Sequence, residues 1–280
     1  MRAAKGLRNA FVGMLSGIFM MMPGASGATM TVVFGIYERL IRDLSKLREY
    51  LIKDIGFIAT VGIGGVIGIL ICAKGLDFLL ESYEIPLMFF FAALIAVQIP
   101  DISKNVRTGE KLTTNNIVAF VAGVAIMIAV LCIGTFASGD TKNYGIIGML
   151  LAGIVYAVCA LSPGISGSTI LLALGLLGPV LDALTDFNLV DILPIVIGAI
   201  VGLLCFAKVI DHFVNNCRRS TYAAIVGLTL GSVITVVAQA IMDMDGEDIL
   251  LECVICVILG LIVGWGIHLF STRYSPEISA

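Results

Sequence analysis

Residues 22–35 read Met-Pro-Gly-Ala-Ser-Gly-Ala-Thr-Met-Thr-Val-Val-Phe-Gly, and residues 162–175 read Ser-Pro-Gly-Ile-Ser-Gly-Ser-Thr-Ile-Leu-Leu-Ala-Leu-Gly. At an offset of 140, Pro23 falls on Pro163, Gly24 on Gly164, Ser26 on Ser166, Gly27 on Gly167, Thr29 on Thr169 and Gly35 on Gly175. Pro removes a backbone donor and Gly weakens a helix. Each copy is therefore a break inside an apolar stretch. One such break is unremarkable, but two at matching places mark a duplicated unit.

The apolar stretches themselves set the class. The 280 residues are 59% hydrophobic and 13% charged, against roughly 25% charged in soluble domains. Several runs approach the ~20 residues that a bilayer-crossing helix needs. Strands of a membrane barrel are about half that length and alternate. The expected fold is an all-α polytopic membrane protein. The first apolar run has no small-residue cleavage site and is read as mature structure.

Outward from the breaks, residues 1–140 form a first unit, with a hairpin at 9–37 and spans at 55–73, 86–100 and 117–137. Residues 141–280 form a second, with a hairpin at 145–178 and spans at 192–207, 222–242 and 249–270. Asn9–Met22 is too short to cross alone, so each hairpin is expected to be re-entrant; two tilted spans give the same topology. Gly64 and Gly68 fall on Gly198 and Gly202 at an offset of 134, and Gln98 falls on Ser232. A hairpin plus three spans reverses direction, so the two units must be inverted-topology repeats. The charges agree. Of the 17 Lys and Arg, all but Lys74 and Lys142 lie in segments 1–8, 38–54, 101–116, 208–221 and 271–280. That asymmetry places those segments and both termini on the cytoplasmic side.

A half-helix beginning at Ser26-Gly27 offers unpaired N–H groups and a positive dipole end, which attract anions. Ser26 and Thr29 add hydroxyls. Pro23, Gly24, Ser26, Gly27 and Thr29 are the candidate site on one side; Pro163, Gly164, Ser166, Gly167, Ser168 and Thr169 are its counterpart. Transporters built from inverted repeats bind substrate where such broken helices meet. Glu38, Arg39, Lys74 and Lys208 are candidate gating or head-group contacts, the lysines as repeat mates at span ends. Gln98 and Asp101 around Pro100 read as a helix stop, Asp211-His212 as a solvated loop pair, and His268 as a hydrogen-bonded core residue. The cysteines, including Cys253 and Cys256 one turn apart, have no metal-ligand spacing. No nucleophile–base pair or nucleotide loop is present. No cofactor, metal, nucleic acid or catalytic residue is expected.

The doubled motif resembles the bacterial undecaprenyl phosphate translocase family, long catalogued as a domain of unknown function. Its pattern resembles Pro-Gly-x-Ser-Gly-Gly-Thr followed by Gly-x-Tyr-Glu/Asp, here Pro23 to Thr29 and Gly35-Ile36-Tyr37-Glu38. A second match is Leu161 to Ser168. Three places depart from it: Ala28 replaces Gly, Leu176-Leu177-Gly178 stands where Tyr-Glu is usual, and Val97-Gln98-Ile99-Pro100 replaces Gly-Ser-Ile-Pro. The resemblance implies a flippase in the bacterial plasma membrane. It would return undecaprenyl phosphate, or a similar polyprenyl phosphate, from the outer to the inner leaflet by alternating access. Its partners would be that lipid, the surrounding membrane lipids and a driving ion, proton or sodium. A transporter of a small soluble anion and an intramembrane lipid phosphatase are the competing readings.

Overall fold

The computed structural model describes residues 2–21, 26–46, 49, 53–106, 112–137, 145–165, 167, 170–171, 174–176, 179–180, 182–183, 188–244 and 249–278. Among these the chain is helical, without strands. Helix α1 is Arg2–Met21, α2 Gly27–Val33, α3 Tyr37–Ser45, α4 Ile55–Ala96 and α5 Ile99–Lys104. Then follow α6 Thr114–Ala137, α7 Gly145–Leu161, α8 Leu189–Asn216, α9 Arg218–Met242 and α10 Leu250–Ile278. Among the described residues, five stretches are long and apolar enough to cross a membrane: Tyr83–Lys104, Thr114–Cys132, Leu189–Asn216, Arg218–Met242 and Leu250–Thr272. Their outer faces carry exposed Val121, Ile197, Ile200, Ile258, Ile262 and Trp265. A face that apolar belongs against lipid.

Small residues decide which helices touch. A Cβ on Gly13 would overlap the carbonyl of Val61, and one on Gly64 that of Ala10, so α1 lies backbone-to-backbone on the first arm of α4. In the second half, Gly153 stands against the carbonyl of Ile195 and Gly198 against that of Leu150, seating α7 on α8 in the same way. All four residues of the second set are the repeat mates of the first. Without a hydrophobic drive between helices in lipid, close packing of this kind supplies the association.

The remaining helices pair across the halves. Gly123 of α6 approaches Ala224 and Leu228 of α9, while Gly260 of α10 approaches the carbonyl of Phe90 on the second arm of α4. Phe90 is the repeat mate of Ala224 at the offset of 134. Each half thus lends its last span to the other half's middle one. The core is correspondingly shared. Val12, Phe34, Ile36, Ile41 and Leu94 bury in one cluster with Leu161, Ile210 and Tyr222.

Helix ends follow local chemistry. After α2, the Ile36 N–H reaches the Thr31 carbonyl at 2.9 Å with Gly35 at φ 70°; after the second break, the Leu176 N–H reaches the Leu171 carbonyl at 2.8 Å with Gly175 at φ 69°. Both are the left-handed glycine stop that satisfies orphan carbonyls. Ser271 on α10 donates to the Val33 carbonyl at 2.7 Å, closing another orphan of α2.

Two expected boundaries are corrected. Residues 74–84 are not a loop: α4 stays helical to Ala96, with one non-helical residue at Tyr83 (φ −140°, ψ 36°). Pro86, three residues on, cannot donate to the turn before it, which accounts for the break there. Helix α8 likewise passes residue 207 and ends only at Asn216. Ala207, Ile210 and Val214 continue its buried stripe, and no Gly or Pro stops it before Cys217. Asp211 and His212 are therefore helical, and Lys208 is an exposed mid-helix residue rather than a cation at a span end.

Candidate functional site

The chain that follows the first break meets the second break. Ser26, the residue before α2, is extended (φ −125°, ψ 127°) and its side chain does not cap its own helix. Its hydroxyl instead donates to the Ser162 carbonyl at 3.0 Å. The Gly164 N–H donates to Thr29 Oγ1 at 3.1 Å, and the Tyr37 hydroxyl donates to the Leu161 carbonyl at 2.9 Å. Ser26, Thr29, Pro163 and Gly164 are all buried. Gly27 and Gly167 flank a space of about 10 Å³ shared with Met20, Tyr156, Ala160 and Ile165. That is room for about one water molecule. The seam therefore sets hydroxyls that follow the first break against backbone groups at the second. Pro23, Gly24, Ser166, Ser168 and Thr169 lie outside the described residues.

Helix α2, seven residues long, leads from this seam to a large cavity of about 890 Å³. Val32, Val33 and Gly35 at its far end form part of the wall. The polar lining comes from segments far apart in sequence: Glu38, Arg39 and Arg42 of α3; Asp54; Asp101 and Lys104 of α5; Asp211 and Asn215 of α8; Arg218 and Tyr222 of α9. All belong to the basic segments that the charge count groups on one side, except Tyr222, which starts the following span. The volume is in the range of ligand-binding clefts.

Three ion-pair groups order the wall. Arg39 bonds Asp54 at 2.9 Å and lies 4.2 Å from the centre of the Phe57 ring. Arg42 holds Asp43 at 3.0 Å and reaches Asp54 at 3.6 Å. Burial pushes the Asp43 carboxyl above the usual carboxylate range, with the hydrogen bond from Arg42 acting against it. Asp101 binds Lys104 at 2.6 Å and His268 Nδ1 through its other oxygen, so α5 is pinned to α10. Glu38 accepts from the Tyr222 hydroxyl at 2.7 Å and pairs with Arg218 at 2.7 Å, joining α3 to α9.

Of the sequence candidates, the structure brings Ser26, Gly27, Thr29, Pro163, Gly164 and Gly167 together at the seam, and Glu38 and Arg39 to the cavity. Lys208 lies at neither. The side chain of Lys74 lies outside the described residues. His268 is hydrogen-bonded, as its place in an apolar span requires. The cavity residues Arg42, Asp54, Asp211, Arg218 and Tyr222 carry no motif. Their one signal is the clustering of charge in segments 38–54 and 208–221.

A bundle of apolar helices with two interrupted helices in contact, and a charged cavity at the far end of one of them, has the form of a multi-pass membrane transporter. Over residues 14–249 the chain matches the family described as VCA0040-like, undecaprenyl phosphate translocase-like. It belongs to that family. It is 28% identical over 235 residues to a polyprenyl-phosphate transporter of Vibrio cholerae, covering 79% of this chain and 74% of the relative. It is 29% identical over 241 residues to a polyprenyl-phosphate transporter of Staphylococcus aureus, covering 81% and 85%. No solved structure matches the chain.

Proposed function

We propose that this protein returns undecaprenyl phosphate, or a closely similar polyprenyl phosphate, from the outer to the inner leaflet by alternating access. The observation that carries the reading is the charged cavity of about 890 Å³ at the far end of α2, a helix whose near end is sealed against the second break. A charge at the bilayer centre is costly. Donors at the hairpin tips offset that cost when the seam parts, while the long tail stays in lipid. On this reading the tips are closed on each other and the cavity, lined by the basic segments, faces the cytoplasm. An ion gradient supplies the drive.

The matched glycine contacts and matched helix stops in the two halves support inverted repeats, as does the exchange of last spans. Cysteine substitution in a cysteine-free background tests the inversion. Lys53→Cys should label with an impermeant maleimide from the cytoplasmic side only, and Asn188→Cys from the outer side only. Labelling of both from one side removes the inversion, and with it alternating access between equivalent halves.

The transport reading is tested in liposomes with a leaflet-specific readout of polyprenyl phosphate, with and without proton and sodium gradients. Protein is expected to move the lipid well above the protein-free rate, and the gradient that accelerates it is the driving one. A parallel arm measures inorganic phosphate flux. Lipid movement at the protein-free rate, together with fast phosphate flux, assigns the chain to the soluble-anion reading instead.

A further inference from the structure

We propose that Glu38 occupies the seat of the substrate's phosphate: Arg218 and Tyr222 on α9 form a phosphomonoester subsite that the chain's own carboxylate fills until substrate displaces it. The inference rests on the transporter reading above. One carboxylate oxygen, Glu38 Oε1, takes both the Tyr222 hydroxyl and the Arg218 guanidinium at 2.7 Å. Arg218 and Tyr222 stand one turn apart on α9, both on the cavity wall. A guanidinium beside a phenol is a donor set suited to phosphate oxygens, which bear more charge than a carboxylate and offer more acceptors.

The other cations of the wall are held differently. Arg39 pairs with Asp54, Arg42 with Asp43 and Asp54, and Lys104 with Asp101, each within its own stretch of chain. Arg218 instead takes its carboxylate from the opposite half of the molecule, as Tyr222 does. The side chains of Glu38 and Arg218 are 35% and 56% exposed to the cavity, so the pair is accessible and weakly held. Displacement also has a mechanical consequence. Glu38 adjoins Tyr37, whose hydroxyl closes the seam on Leu161. Releasing Glu38 from α9 frees the first turn of α3, the turn that holds this seam contact.

The test measures binding to full-length protein in nanodiscs, with a fluorescent short-chain polyprenyl phosphate and, separately, inorganic phosphate. Thermal unfolding checks that each variant is folded. Glu38→Gln removes the competing charge and retains an acceptor for Tyr222, so lipid phosphate should bind about threefold tighter or better. Arg218→Gln should weaken it by about tenfold. In the Glu38→Gln/Arg218→Gln double variant the gain should vanish, which a merely structural role for Glu38 does not require. If lipid phosphate binds and Glu38→Gln is unchanged or weaker, or the gain persists without Arg218, the seat is wrong and the transport reading stands. If only inorganic phosphate binds, with the same dependence on Glu38 and Arg218, the seat stands and the lipid reading fails. Binding of neither ligand overturns the seat.

Discussion

Gly164→Ala is expected to stop transport, with the rate falling at least tenfold, and to destabilise the fold by about 3 kcal/mol. Two costs combine. Gly164 has φ 85°, a left-handed conformation that an L-residue adopts at about 1–2 kcal/mol. The new methyl would also stand 2.6 Å from the Thr229 nitrogen and 2.7 Å from the Leu228 carbonyl carbon. Those atoms are backbone of α9, so no rotamer change relieves the contact. The chain around Gly164 must withdraw from α9, and its N–H then leaves Thr29 Oγ1. Gly145→Ala is the control: its φ is 56° but no atom lies within 4 Å of the added carbon, so it bears only the backbone cost. Liposome transport and thermal unfolding in detergent measure both variants. Wild-type transport by Gly164→Ala would show that the seam is not part of the pathway.

Gly64→Ala and Gly198→Ala should each lower stability by about 1–3 kcal/mol, and by similar amounts. In each, the added methyl overlaps a carbonyl of the neighbouring helix, Ala10 in one half and Leu150 in the other. The helices must separate, and in lipid little else holds them together. Gly62→Ala, on the same arm of α4, meets nothing within 4 Å. It should be neutral or gain up to about 1 kcal/mol from helix propensity. Thermal midpoints in one detergent compare the three. A large loss in one repeat mate and none in the other would mean that the duplicated sequence no longer does duplicated structural work.

The hairpin tips illustrate how far residue-level reading reaches. Pro-Gly at 23–24 and 163–164 interrupts a helix through local chemistry alone, so the breaks are visible in the sequence. Read locally, their donors suit an anion. In the conformation described, Ser26 and Thr29 bond Ser162 and Gly164 at the second break, because polar groups brought together away from water satisfy one another. The same limit explains the helix ends. The span expected at 86–100 does begin near the break at Tyr83, whereas the one expected to close at Lys208 continues to Asn216. Helix continuation depends on whether the next apolar residues find a neighbour, as Ile210 and Val214 do.

What the sequence by itself determined is the class, the duplication and the side on which the charges gather. Each rests on a property that acts within a short stretch: apolar length against bilayer thickness, φ/ψ preference at Pro and Gly, and the bias of Lys and Arg between segments. Only the tertiary structure decided that Glu38 meets Arg218 and Tyr222, that Asp101 meets His268, and that each half's last span packs on the other half. The partners of Glu38 and Asp101 lie more than 160 residues away in sequence. They are selected by which glycine-lined helix faces can approach closely enough to pack. That selection depends on the shapes of both faces together, and no single stretch of chain contains both.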